Sequence, residues 1–198
     1  MPFIDHFGLL APHYDRLATF RRGERMAELL RLPTRGSILD AAGGTGRVAQ
    51  HLAPHAGLAL VIDESRPMLR RAASKPGLAA VQAEIENLPL PRRSQARIVM
   101  VDAFHHLRDQ DRALAEMARV LEPGGCLVIL EPDIHRLGAR LIALAERLLL
   151  MRSRFRRGED IARMASGLGL ASRLERDADG TVWIVAERQG DAWVPHGS

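Results

Sequence analysis

Three glycines and three acids carry the most chemistry in their spacing. Gly43, Gly44 and Gly46 fall in Asp40-Ala41-Ala42-Gly43-Gly44-Thr45-Gly46, directly after the apolar pair Ile38-Leu39. Glycines there remove side chains that would hold a ligand off the backbone, and they accept the dihedrals of a tight turn. A helix that starts at such a turn points free backbone N–H groups at whatever occupies it. Asp40 closes the strand before the turn, and Asp63 and Glu84 close two later strands. Asp63 follows Gly44 by nineteen residues, near the interval at which an acid meets ribose hydroxyls. A carboxylate accepts two O–H bonds from a cis-diol. Glu84 is placed to accept from an exocyclic amine such as that of adenine.

Gly44-Thr45-Gly46-Arg47-Val48-Ala49 also satisfies G-x-G-x-x-A, so an NAD-dependent oxidoreductase is one reading. Asp40 weighs against it. A carboxylate beside the turn repels a pyrophosphate and suits a ligand bearing an ammonium and a sulfonium. Ribose, adenine and a cationic amino-acid tail without phosphate describe S-adenosylmethionine, with S-adenosylhomocysteine as product. His105 and His106 follow the fourth strand, where an acceptor would lie. His105 is the candidate to orient a substrate hydroxyl or take its proton, against the plainer reading of a structural histidine. Tyr14 and His106 are candidates to close over the acceptor. Met68 and Ile85 either pack on adenine or belong to the core. No metal-ligand cluster is visible in the sequence.

The elements that would position these residues alternate. Short apolar strands are expected at Ser37–Asp40, Leu58–Asp63, Leu78–Ala83, Ala96–Val101 and Cys126–Leu130. Helices are expected over about 46–52, 66–74 and 110–120, the last capped by Asp109. All-apolar strands such as Leu58–Asp63 suit a parallel sheet covered on both faces. The alternation predicts a doubly wound α/β sheet, whose ligand sits outside the carboxyl ends of the strands. Leu170–Arg176 and Thr181–Glu187 flank Asp179-Gly180 and read as a hairpin that adds an antiparallel strand.

These elements form one α/β domain over 1–198: an N-terminal helical cap over 1–34, a core over 35–188 with a helical segment at 136–167, and a tail over 189–198. A helix is expected from Leu10 to Leu32, with Tyr14, Leu17, Ala18, Met26, Leu29 and Leu30 facing inward. Residues 136–157 read as an amphipathic helix with a solvated arginine face. A second reading of it is weak peripheral contact with an anionic membrane surface.

The 198 residues are 46% hydrophobic and 26% charged, with a net charge of +4, the composition of a globular chain. Only 4% are aromatic, which leaves no stacking platform for nucleic acid. The single cysteine, Cys126, sits in an apolar run and reads as a buried thiol. That usage and the lack of a basic, then apolar, N-terminus fit a cytoplasmic setting. The composition leaves oligomeric state open.

Ile38-Leu39-Asp40-Ala41-Ala42-Gly43-Gly44-Thr45-Gly46 resembles the first motif of class I S-adenosylmethionine-dependent methyltransferases. Its Ala-Gly-Gly-Thr-Gly form is similar to the ubiquinone/menaquinone C-methyltransferase branch. Val61-Ile62-Asp63-Glu64-Ser65-Arg66-Pro67-Met68-Leu69 and Gln82-Ala83-Glu84-Ile85-Glu86-Asn87-Leu88-Pro89 resemble the second and third motifs. Asp102-Ala103-Phe104-His105-His106-Leu107 and Arg119-Val120-Leu121-Glu122-Pro123-Gly124-Gly125 resemble later ones. The resemblance implies a Rossmann-like, mostly parallel seven-stranded sheet and methyl transfer to a small molecule, such as a quinol or phenol. It also implies cofactor contacts at Asp40, Ala42, Gly43, Gly44, Gly46, Asp63, Glu64, Met68, Glu84, Ile85 and Asp102. The chain departs from the family at Ala42, where glycine is usual, and at Ala96-Arg97, where Phe-Asp is usual. Beyond Glu131 the match to the quinone enzymes fades, so the motifs do not carry the quinone itself. A cofactor-binding protein without turnover, acting as a partner or regulatory subunit, is the alternative of a different class.

Overall fold

Seven strands form one sheet in the order β3-β2-β1-β4-β5-β7-β6. The computed structural model describes residues 20–133 and 154–190. In chain order the elements are α1 (Gly23–Leu29), β1 (Ser37–Ala41), α2 (Ala49–Leu52), β2 (Leu58–Asp63), α3 (Arg66–Ala73) and β3 (Leu78–Gln82). They continue with β4 (Gln95–Val101), α4 (Gln110–Val120), β5 (Leu121–Pro132), α5 (Gly158–Gly167), β6 (Leu170–Arg176) and β7 (Thr181–Arg188). Strands β1 to β5 are parallel. Strand β7 runs antiparallel to both β5 and β6, as the hairpin signal at Asp179-Gly180 requires.

The chain builds outward from β1 through β2 to β3, then returns to lay β4 on the other flank of β1. That reversal opens a crevice at the carboxyl ends of β1 and β4, where ligands of such sheets bind. The central strands are apolar on both faces because both faces are covered. One face packs Leu39, Ile62, Ile98, Met100, Leu127 and Ile184 against α4 and α5 residues such as Leu114, Met117 and Ile161. The other packs Ile38, Val99, Val128 and Trp183 against Met26, Leu30, Val48 and Leu52. Cys126 is buried there, and burial pushes its thiol up to about 11.

Three local expectations shift. Residues 46–48 form a turn, and the helix after the glycines is the short α2, with Pro54 in the 3-10 turn that follows. The expected N-terminal helix is not continuous up to Leu32. Phe20–Arg22 are non-helical and α1 begins at Gly23, with Arg22 reaching across to Asp179 and to Thr181 Oγ1 (2.8 Å) on the β6–β7 hairpin. Arg31, in left-handed backbone, ends the helical run and pairs with Glu187. Strand β5 begins five residues before Cys126, since Leu121 pairs with Gln95 before a register shift and the ladder resumes at Cys126 opposite Arg97. Asp109 caps α4, accepting from Arg112 N at 3.0 Å.

Candidate functional site

Strand β1 delivers Asp40 into the interior, 1% exposed, where one carboxylate oxygen accepts the Ala49 N–H at 3.0 Å. The glycine turn folds over that carboxylate: a Cβ on Gly43 would lie 2.5 Å from Asp40 Cγ. Burial pushes the Asp40 carboxyl up to about 7, opposed by the Ala49 N–H and the Arg47 guanidinium. A cation placed nearby would favour its ionised form.

The three glycines have different jobs. Gly46, at φ +70°, is packed shut, since a Cβ would meet Leu78 Cδ1 at 2.7 Å. Gly44, at φ +55°, faces space: a Cβ there would find only Asp63 Oδ2 at 3.9 Å and Met68 Sδ at 4.0 Å. Ala42 also sits in left-handed backbone, at φ 54°, which explains why glycine suits this position and why alanine, the smallest alternative, replaces it.

Asp63 ties the turn to the next loop. Its Oδ2 accepts Gly44 N at 2.8 Å and its Oδ1 accepts Ser65 N at 2.8 Å. Each oxygen has a second lone pair for a ligand hydroxyl. Met68 on α3 and Ile85 in the turn after β3 are each 2% exposed, and both belong to the packed interior. Met68 also presents its sulfur to the space beside Gly44.

Glu64 and Glu84 stand exposed at the ends of β2 and β3, and Arg108 bridges them at 2.7 Å and 3.1 Å. Partial burial holds the Glu64 carboxyl above the usual range, against the pull of Arg108. Glu84 thus meets a guanidinium from the β4–α4 loop, a partner its sequence neighbourhood does not announce. Glu86, two residues on, is 7% exposed. Its Oε1 accepts the N–H groups of Arg108 (3.0 Å) and Asp109 (3.2 Å), while its Oε2 is buried without a hydrogen-bond partner among the described residues. The signal available was its place two residues after the strand-ending acid.

At the end of β4, Asp102 adopts φ 52° and pairs with Arg47 at 3.2 Å. Arg47 in turn lies 5.9 Å from the Phe20 ring centroid. A cavity of about 350 Å³ opens here, lined by Phe20, Arg47, Val101, Asp102 and Leu130 among others. Next along the chain, His105 is 4% exposed and its Nδ1 lies 2.5 Å from Glu131 Oε2. Glu131 Oε1 accepts the Ala103 and Phe104 N–H groups at 3.0 Å and 2.8 Å. The His105 ring stacks on Phe155 (4.3 Å, 14°) and tilts against His106 (4.0 Å, 49°). Burial first, and His105 second, lower His106 to about 3, so it is neutral at physiological pH.

Asp40, Ala42, Gly43, Gly44, Gly46, Asp63 and Met68 therefore converge on one turn. Glu64, Glu84 and Ile85 stand at its β2–β3 side, and Asp102, His105 and His106 at its β4 side. Tyr14 and most of the basic segment 136–157 lie outside the described residues. Among the described residues no helix is long and apolar enough to cross a membrane.

Residues 39–129 match the family model described as a methyltransferase domain. The chain is 38% identical over 139 residues to the ubiquinone/menaquinone biosynthesis C-methyltransferase UbiE of Syntrophotalea carbinolica, covering 63% of this chain and 59% of that protein. It is 36% identical over 139 residues to the demethylmenaquinone methyltransferase of Thermus thermophilus, covering 63% of each. The chain thus spans about six-tenths of the length of the curated relatives it matches. A SAM-dependent methyltransferase structure from Thermotoga maritima superposes with a TM-score of 0.74 at 21% identity, covering 92% of this chain and 98% of that one.

Proposed function

We infer that this chain, related through its methyltransferase domain at residues 39–129 to the class I S-adenosylmethionine-dependent methyltransferases, transfers a methyl group to a small-molecule acceptor, a quinol or phenol. The single observation that carries the cofactor reading is the Gly44–Asp63 pair. The turn is pinned by the Asp63 carboxylate at 2.8 Å, and the missing Gly44 side chain leaves room between that carboxylate and Met68. A group with a vicinal diol and an adjacent apolar ring fits that room. A pyrophosphate fits it poorly, because Asp40 lies behind the turn and Asp63 and Glu64 in front of it.

When bound, S-adenosylmethionine supplies an electrophilic methyl carbon on a sulfonium. The chain's residues do the rest. Asp63 would accept the ribose hydroxyls, Gly43–Gly46 would bring the backbone close, and the Met68 sulfur beside Gly44 would meet the adenosine. Glu84 accepts from the adenine amine and shares its second oxygen with Arg108. Buried Asp40 favours positive charge above the turn. Holding the acceptor in line and excluding water then supply most of the acceleration. The quinol class rests on the two relatives, a ubiquinone/menaquinone biosynthesis C-methyltransferase and a demethylmenaquinone methyltransferase.

The test is transfer of label from methyl-labelled S-adenosylmethionine to a panel of naphthoquinols, benzoquinols and phenols, with calorimetric binding measured alongside. Binding with labelled product supports the reading. Binding with no product on any acceptor favours the non-catalytic partner, and absence of binding overturns the cofactor assignment.

A further inference from the structure

Resting on that reading, we propose that the cavity of about 350 Å³ beside Arg47 is the acceptor's site and takes an aromatic carboxylate, its ring on Phe20, Val101 and Leu130 and its carboxylate on Arg21 and Arg47.

The cavity lies at the carboxyl ends of β4 and β5, where Val101 pairs with Leu130. Arg47 enters it one residue after Gly46, the last glycine of the turn. Strands β2 and β4 flank β1 on opposite sides. With adenosine assigned to the β2–β3 side of the turn, the sulfonium end would face β4. An acceptor in line with the methyl group then enters from the cavity's side.

The lining is apolar at its base. Phe20 and Val101 are 8% exposed and Leu130 is 1% exposed, and all three belong to one packed face of the sheet. Such a wall suits a flat ring. Ligand pockets commonly run from about 300 to about 1,000 Å³, so about 350 Å³ suits a small, one- or two-ring acceptor.

Charge selects the ring's substituent. Three guanidinium groups, Arg21, Arg22 and Arg47, line the cavity with two carboxylates, Asp102 and Asp179. Arg22 is engaged by Asp179 and by Thr181 Oγ1. Arg47 gives Nη2 to Asp102 at 3.2 Å, and a guanidinium has further N–H donors to offer. The Arg47 side chain is 12% exposed and its Cζ lies 5.9 Å from the Phe20 ring centroid. The ring thus holds that charge at the apolar wall, where it acts more strongly than in bulk water. Arg21 is exposed, and among the described residues no carboxylate pairs with it. The lining therefore carries one uncompensated positive charge. A plain phenol or quinol is neutral at physiological pH and leaves that charge unanswered. A carboxylate is ionised there and matches guanidinium donors in pairs. The acceptor class is a small phenol or quinol that also bears a carboxylate.

The test compares 4-hydroxybenzoate with 4-hydroxybenzamide, which keep the same ring and hydroxyl and differ in charge. Each is titrated calorimetrically into the full chain in the presence of S-adenosylhomocysteine, whose own binding is measured first. The wild type is expected to bind the acid at least about tenfold more tightly than the amide. Arg47→Met keeps an unbranched stem against Phe20 and removes the charge. It is expected to lower the acid's affinity by about tenfold or more and the amide's by little, and Arg47→Lys to recover part of the loss. Arg21→Gln, on an exposed, non-helical residue, leaves the packed interior untouched and is expected to lower the acid's affinity by about threefold. Equal affinity for acid and amide in the wild type overturns the proposal, as does an acid-to-amide ratio that both Arg47→Met and Arg21→Gln retain. Discrimination in a chain that binds no S-adenosylhomocysteine would refute the function above while leaving the cavity's ligand class standing. S-adenosylhomocysteine binding without discrimination would overturn the cavity's assignment alone.

Discussion

Asp40→Asn tests the electrostatics of the turn quantitatively. The carboxyl is buried and holds its proton to about 7 in the folded chain, against 3.8 as its ordinary value. A raised carboxyl contributes stability that is fully present below the unfolded value and is lost as pH rises through the folded one. At 1.36 kcal/mol per factor of ten, the full loss is about 4 kcal/mol, of which about 2 kcal/mol falls between about pH 5.5 and about pH 8.5. Asparagine keeps an oxygen for the Ala49 N–H and cannot ionise. His106 contributes with the opposite sign, because a depressed histidine loses stability as pH falls below its ordinary value, but it is present in both proteins and cancels in their difference. Urea unfolding of wild type and Asp40→Asn at the two pH values is the assay. The wild type should lose about 2 kcal/mol relative to the variant on going to the higher pH. Parallel curves, with a constant difference at both pH values, would refute the buried, proton-holding Asp40.

Further outcomes follow from the same geometry. S-adenosylmethionine affinity should rise by up to about tenfold from about pH 6 to about pH 8, and S-adenosylhomocysteine affinity by less, because only the sulfonium adds a cation above Asp40; equal calorimetric slopes for the two would contradict this. Gly46→Ala should destabilise by about 2–4 kcal/mol in chemical denaturation, since its Cβ meets Leu78 at 2.7 Å in left-handed backbone; a cost under about 1 kcal/mol would show that the packing yields. Gly44→Val should weaken S-adenosylmethionine binding by about tenfold or more beyond its effect on stability, by filling the space between Asp63 and Met68; unchanged affinity would place the ligand elsewhere. The His106 ring proton shifts should stay flat from about pH 5 to about pH 8 in NMR titration, whereas a midpoint near 6.5 would show that the ring is solvated.

What was legible in the sequence was local. The apolar runs, the glycine turn, the acid nineteen residues on and the Asp179-Gly180 hairpin are each read within a few neighbours, and each stands where the chain order implied. The doubly wound sheet followed because those signals alternate, and its seven strands were what the family resemblance implied. What was not legible depends on partners that the sheet order brings together. Arg108 meets Glu64 from 44 residues away and Glu84 from 24. Glu131 reaches His105 across neighbouring strands. Arg22 meets the C-terminal hairpin 157 residues on, a partner that periodicity does not announce. Asp40 looked like a ligand-facing charge, yet its first role is to hold Ala49 and back the turn. In each case the side chain's type was plain and its partner was not.

The central claim is that the Gly44–Asp63 cradle binds S-adenosylmethionine. Isothermal titration of the wild type and of Asp63→Ala, each checked for native circular dichroism, tests it most directly. One site per chain is expected in the wild type, and a loss of at least about tenfold in affinity in the variant, from the two hydroxyl bonds removed. Equal affinity in two folded proteins, or no heat of binding in the wild type, would contradict it.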